Sequence, residues 1–131
     1  MKDGVLVFIE QRDGKPERAA WEALAGGQTL AADLGCGVSC VVLGKSASAA
    51  AGEVVASAKV SQVYVAEADA LNVYTPEGYA AALKEVIGAV EPAWVVFGYT
   101  YQVRDYVPRL SAKLNKPFLV DNIAIRVENG Q

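Results

Sequence analysis

The feature that most constrains this chain is an alternation, repeated four times, of a short continuous apolar run with a longer segment of helical period. The runs are "GVLVFIE" (4–10), "VSCVVLG" (38–44), "QVYVA" (62–66) and "WVVFG" (94–98), all rich in β-branched residues. A strand with one wet face alternates polar and apolar residues. A strand apolar on both faces is one that helices cover on both sides. A fifth run, "FLVDNIAIRV" (118–127), has alternating character. Strand–helix repetition of this kind predicts a three-layer α/β/α sandwich. Its sheet is mostly parallel with five strands or slightly more, in the order 3-2-1-4-5, and its crossovers are right-handed.

The intervening segments carry helix punctuation. The first helix is predicted from Pro16, a residue suited to a first helical position, to about Leu34. Ala20, Leu24, Gly27, Ala31 and Leu34 form its apolar stripe, and their small size predicts a helix lying close to the sheet. Gly35 supplies the stop. A second helix is expected over Ala47–Ser57. A third follows the cap Thr75 and runs through Ala82, Val86 and Val90 to Glu91, with Pro92 ending it. For the fourth, Asp105 is read as the cap and Pro108 as a first-turn residue, with Val107, Leu110, Ser111 and Leu114 on one face.

Composition removes several function classes. At 131 residues the chain is one domain with room for its own core, and 53% hydrophobic against 21% charged residues excludes disorder. No apolar run has the length of a membrane span, and "MKDGVLVFIEQRDG" has no secretory or transit pattern. A net charge of −3 with scattered Lys and Arg speaks against nucleic acid. These features predict a cytoplasmic protein. The chain has no histidine, which removes the commonest general base, the commonest metal ligand and every Ser-His or Cys-His pair. Cys36 and Cys40 alone cannot complete a zinc site, and their spacing is not that of a redox pair, so they are expected as plain buried or half-buried thiols.

In such a sheet, ligands bind beyond the C-terminal strand ends where strand order reverses. With the order above, the reversal lies between strands 1 and 4, flanked by "EQRDGK" (10–15) and "GYTYQVRD" (98–105). The stretch "GYTYQVRDYVPR" (98–109) is unusually dense in Tyr and Arg. Arg104 and Asp105 could hold an anion at a helix start, or Asp105 could simply cap while Arg104 is solvated. Tyr99, Tyr101 and Tyr106 could stack on a ring, but large half-polar side chains also favour protein contact. The candidate cofactor contacts are therefore Tyr99, Thr100, Arg104 and Asp105. The candidate interface residues are Tyr101, Tyr106 and Arg109. Glu10, closing the first strand, is read as ordering its turn. "LGKS" (43–46) lacks the earlier glycine of a phosphate loop, and no G-x-G-x-x-G follows strand 1.

The order of these pieces resembles the alpha subunit of electron transfer flavoproteins. The resemblance is carried by "VLVFIEQRDGKPERAAWEALAGGQTLA", "CVVLG", "KVSQVYVAEADALNVYTPEGYAAAL" and, above all, "FGYTYQVRDYVPRLSAKLNKPFLVDNIAI". Gly98, Arg104, Asp105, Pro108, Arg109, Leu114 and Asp121 fall on the family's pattern. The resemblance implies a Rossmann-like fold related to the adenine nucleotide alpha hydrolases, and a part in an electron carrier rather than an enzyme. It implies a beta subunit as partner, and flavin dehydrogenases as partners of the assembled complex. It implies FAD in the full complex, held mainly by a C-terminal domain whose Gln-His signature is missing from this histidine-free chain. Residues 1–131 are then a single N-terminal-type domain without the flavin-binding half. A stand-alone AMP- or ATP-binding module of the same fold stays open as the alternative, with a small hydrolase behind it.

Overall fold

A computed structural model of the chain describes residues 4–68, 71, 73–98, 100–116, 118–119 and 124–126. Among the described residues, eight strands and four helices follow in chain order: β1 Val5–Phe8, β2 Gln11–Arg12, β3 Lys15–Pro16, α1 Arg18–Leu34, β4 Val38–Leu43, α2 Ala47–Ser57, β5 Gln62–Ala66, α3 Pro76–Val90, β6 Trp94–Val96, α4 Tyr101–Leu114, β7 Phe118–Leu119 and β8 Ala124–Arg126.

Six strands form one sheet in the order β5-β4-β1-β6-β8-β7. Its first four members are parallel, with Val5 opposite Val38 on one side and Trp94 on the other. The predicted 3-2-1-4 arrangement is therefore present. The last run differs from the expected single strand. It divides into β7 and β8, which pair antiparallel with each other, and β8 pairs antiparallel with β6. An antiparallel pair needs only a short connection, so no helix has to cross between these two arms.

The continuous apolar runs are explained by two cores, one on each face. Along β1, Val5, Val7 and the following Ile9 pack with Ala20, Leu24, Ala31, Val54 and their neighbours from α1 and α2. Leu6 and Phe8 pack with Leu83, Ile87, Val103, Tyr106 and Leu110 from α3 and α4. Both faces of β1 are thus buried, and burying such side chains stabilises by about 1.5–3 kcal/mol each.

Helix α1 lies as close as its small stripe predicts, since a Cβ placed on Gly27 would come within 2.5 Å of Val7 Cγ2. Ala20, Ala23, Leu24, Gly27 and Ala31 are its buried residues. Leu34, expected in that stripe, is 52% exposed; it is the last residue of α1. Gly35 takes the left-handed conformation at the C-cap, and its N–H reaches the Ala31 and Ala32 carbonyls. Thr75 caps α3 by accepting from the Gly78 N–H, with Pro76 following as expected. The buried face of α3 is Tyr79, Ala80, Leu83, Ile87 and Val90, rotated from the predicted Ala82/Val86 line.

Two expected helix starts are corrected. Pro16 is not helical. It belongs to a two-strand hairpin, paired with Gln11 and closed by Asp13 and Gly14, both at positive φ. Asp105 is not a cap and Pro108 is not in a first turn. α4 begins at Tyr101, with Thr100 as its cap accepting from the Val103 N–H at 3.2 Å, which places Pro108 in the helix interior. A proline there withdraws one N–H from the helical ladder. In that turn the Arg109 side chain donates to the Asp105 carbonyl at 3.0 Å.

Candidate functional site

The parallel pairing of β1 with β6 brings the turns that follow them to one rim, as the strand order predicted. Thr100 Oγ1 donates to Glu10 Oε1 at 2.6 Å, joining residues ninety positions apart in the chain. The same rim is closed from the side by α1. A Cβ on Gly98 would stand 2.7 Å from the Ala19 carbonyl oxygen and 2.9 Å from Ala19 Cβ, so only glycine fits there. Backbone bonds tie the turn further, with the Glu17 N–H donating to the Glu10 carbonyl at 2.8 Å.

Glu10 is half-buried, and its carboxyl is raised above the ordinary carboxylate range. Burial is the largest cause, partly offset by the Thr100 hydrogen bond; Glu17 raises it further and Arg12 lowers it. Beneath it lies an aromatic cluster in which Phe8, Tyr79, Phe97 and Tyr106 have ring centroids 5.6–6.4 Å apart. These are edge-on or tilted contacts, the favoured geometry for such rings.

The expected site residues divide into three groups. Thr100 is at the rim but is engaged twice, as donor to Glu10 and as acceptor for the Val103 N–H. Tyr106, expected at an interface, is fully buried at 0% exposure. It follows Val103 by one helical turn once the helix starts at Tyr101, so it joins the inward face. Its hydroxyl has no hydrogen-bond partner among the described residues. Asp105, Arg104, Arg109 and Tyr101 lie on the outer side of α4. Asp105 accepts from the Tyr74 hydroxyl at 2.7 Å, and burial together with this bond raises the Tyr74 phenol. Arg109 pairs with Glu77 at 3.5 Å and Asp105 at 3.4 Å. Arg104 sits 5.9 Å from the ring centroid of Tyr101, which is 89% exposed. Tyr99 and Asp121 lie outside the described residues.

Sequence reasoning missed Gln11. Its Nε2 donates to the carbonyls of Leu43 and Lys45 at 3.1 and 2.9 Å, and its Oε1 accepts from the Gly14 N–H at 2.9 Å. One side chain thus fastens the β2–β3 hairpin over the β4–α2 turn. Asp13-Gly14 was the available signal for the hairpin; nothing local marks the partners of Gln11. The same turn does not favour phosphate. Lys45 is exposed, and the Glu67 carboxylate takes the Ser48 hydroxyl at 2.8 Å and its N–H at 3.2 Å in the first turn of α2. Among the described residues no group of three or more His, Cys, Asp or Glu side chains could hold a metal ion.

The donor set at the rim does not fit the diphosphate of a flavin or nucleotide. The capping hydroxyl is already occupied, and the group facing the start of α4 is a carboxylate. Fold and rim together define a Rossmann-like, three-layer α/β domain whose rim joins Glu10 to the capping Thr100.

Comparison with known proteins gives the family. Residues 5–131 match the electron transfer flavoprotein domain, and the chain belongs to that family. It is 34% identical over 128 residues to the electron transfer flavoprotein subunit alpha of Syntrophomonas wolfei, covering 98% of this chain and 39% of that protein. Against the same subunit of Bacillus subtilis it is 32% identical over 126 residues, covering 96% and 38%. An acryloyl-CoA reductase electron transfer subunit beta of Anaerotignum propionicum is 30% identical over 117 residues. The chain therefore spans well under half the length of these relatives. Among the described residues no helix is long and apolar enough to cross a membrane.

Proposed function

We propose that this chain is the N-terminal domain of an electron transfer flavoprotein alpha subunit, the part that supplies scaffold and docking surface to a carrier moving electrons from flavin dehydrogenases to an acceptor. One observation carries the reading: the similarity runs through 98% of this chain but only 39% of the alpha subunit it matches. On this reading FAD supplies the redox chemistry and is held mainly by a part of the subunit outside residues 1–131. The crevice, occupied by Glu10 and Thr100, is structural. The chain is a carrier component without catalysis of its own, and it works in the cytoplasm.

The partner is a beta subunit, and the outer side of α4 is its contact surface. Tyr101 is large, stiff and exposed, and its ring is already paired with a guanidinium, a combination enriched at interface centres. The surface pairs around Arg109 contribute little stability in water and are free to re-pair across an interface. The test is sedimentation of the chain with its cognate beta subunit, for the wild type and for Tyr101→Ala and Arg104→Glu. A complex weakened about tenfold or more by either substitution, with the fold intact, is expected. A complex indifferent to both moves the docking surface elsewhere. Absence of any complex removes the subunit reading.

A further inference from the structure

We infer that Glu10 is the crevice's own anion, the residue that keeps phosphate-bearing ligands away from the start of α4. Helix N-termini attract anions because their first N–H groups are unpaired and the helix dipole is positive there. In a three-layer α/β sandwich the crevice at the strand-order reversal is where such an anion sits. Here that place is taken by a carboxylate of the chain. The Thr100 hydroxyl donates to Glu10 Oε1 at 2.6 Å and accepts from the Val103 N–H at 3.2 Å, so Glu10 is coupled to the first turn of α4 through the cap. Ionised, Glu10 fixes the direction of the Thr100 proton and leaves the oxygen lone pairs for the amide.

A phosphate brought to this turn meets a like charge in a half-buried setting, where repulsion is screened less than in water. Beside it, α1 approaches the end of β6 so closely that a Cβ on Gly98 would stand 2.7 Å from the Ala19 carbonyl oxygen. The charged groups acting on Glu10 are Glu17, which adds to the negative field, and Arg12, which opposes it; Thr100 from the α4 cap is its hydrogen-bond partner. Tyr79 and Tyr106 face it from α3 and α4, and both phenols are raised by burial and by Glu10, so they stay neutral. Glu10 is in this sense a specificity residue. It makes a nucleotide-type crevice unreceptive to nucleotides and flavin dinucleotides. The inference does not depend on the family reading, and its test uses neither flavin nor a second subunit.

The test is a titration of the isotope-labelled chain with AMP and with sulfate at pH 8, followed at the amides of Tyr101, Gln102 and Val103. The wild type is expected to show no saturable shift up to about 10 mM ligand. Glu10→Gln keeps an oxygen to accept from Thr100 and loses the charge. It is expected to bind both probes at least about tenfold more tightly than the wild type, and Glu10→Ala to do the same. Saturable wild-type binding below about 10 mM overturns the inference, as do two folded variants that bind no better than the wild type. Circular dichroism checks the fold. Should neither variant fold, sulfate binding by the wild type at pH 5 and pH 8 is compared instead. Tighter binding at pH 5 at the same three amides supports the assignment, and equal affinity refutes it.

Discussion

Two neighbouring glycines of α1 give a sharp test of how the helix sits on the sheet. Gly26 and Gly27 lie side by side in the helix, so alanine at either position raises helix propensity by about 1 kcal/mol. Their surroundings differ. A Cβ on Gly26 meets nothing within 4 Å. A Cβ on Gly27 meets Val7 Cγ2 at 2.5 Å and Val5 Cγ1 at 3.6 Å. Val7 is fully buried in β1, which is paired on both sides and backed by the α3–α4 core. Its methyl cannot swing away without leaving its preferred rotamer, so the backbones must separate. Overpacking of this kind costs about 1–3 kcal/mol. Propensity cancels in the comparison and leaves the steric term alone. Gly26→Ala is expected to stabilise by about 0.5–1 kcal/mol, and Gly27→Ala to fall about 2 kcal/mol below it. Urea denaturation followed by circular dichroism separates the two by about 1 M in midpoint at unchanged slope. Equal stabilisation by both alanines would show that α1 does not rest on β1 at this distance.

Other consequences follow from burial and charge. Because burial raises the Glu10 carboxyl, the folded chain binds its proton more readily than the unfolded chain does. Stability contributed by that proton is present below the unfolded value and is lost as pH rises through the folded one. Glu10→Gln is therefore expected to gain stability relative to the wild type between acidic and neutral pH; a pH-independent difference would contradict the burial of this group. Cys40 is buried and its thiol is pushed up to about 12, whereas Cys36 is half-buried. A thiol reagent is thus expected to modify Cys36 alone in the native chain and both cysteines in denaturant. Reaction of both in native buffer would refute the packing around β4. The purified chain is expected to be colourless, and a visible spectrum showing one flavin per chain would count against flavin held elsewhere in the subunit.

The sheet was legible because its strands are buried on both faces. "VLVF" and "VSCVVL" have no polar alternation, which pointed to a parallel sheet covered on both faces; the order 3-2-1-4 was the expected doubly wound arrangement, and the sheet has it. Small residues at Ala20, Gly27 and Ala31 likewise forecast the close seating of α1. Proline misled twice. Its fixed φ suits a first helical turn, but it also suits the edge of a short hairpin, where Pro16 lies, and Pro108 is carried in a helix whose start was set upstream by Thr100. Placing that start too late turned Asp105 into a cap and Tyr106 into a surface residue. With Thr100 as cap, Val103, Tyr106, Val107 and Leu110 fall on one inward face. The contacts that close the rim were not legible, since Gln11 with the β4–α2 turn and Glu10 with Thr100 join residues far apart in the chain. Only the fold brings those side chains together.

The meeting of the two turns at one rim is tested most directly by a double-mutant cycle of Glu10→Ala and Thr100→Val, each of which removes the hydrogen bond, read by urea denaturation at neutral pH. A charge-assisted, half-buried hydrogen bond between them predicts a coupling energy of about 1–2 kcal/mol. Strict additivity of the two substitutions would place the turns apart and contradict the account.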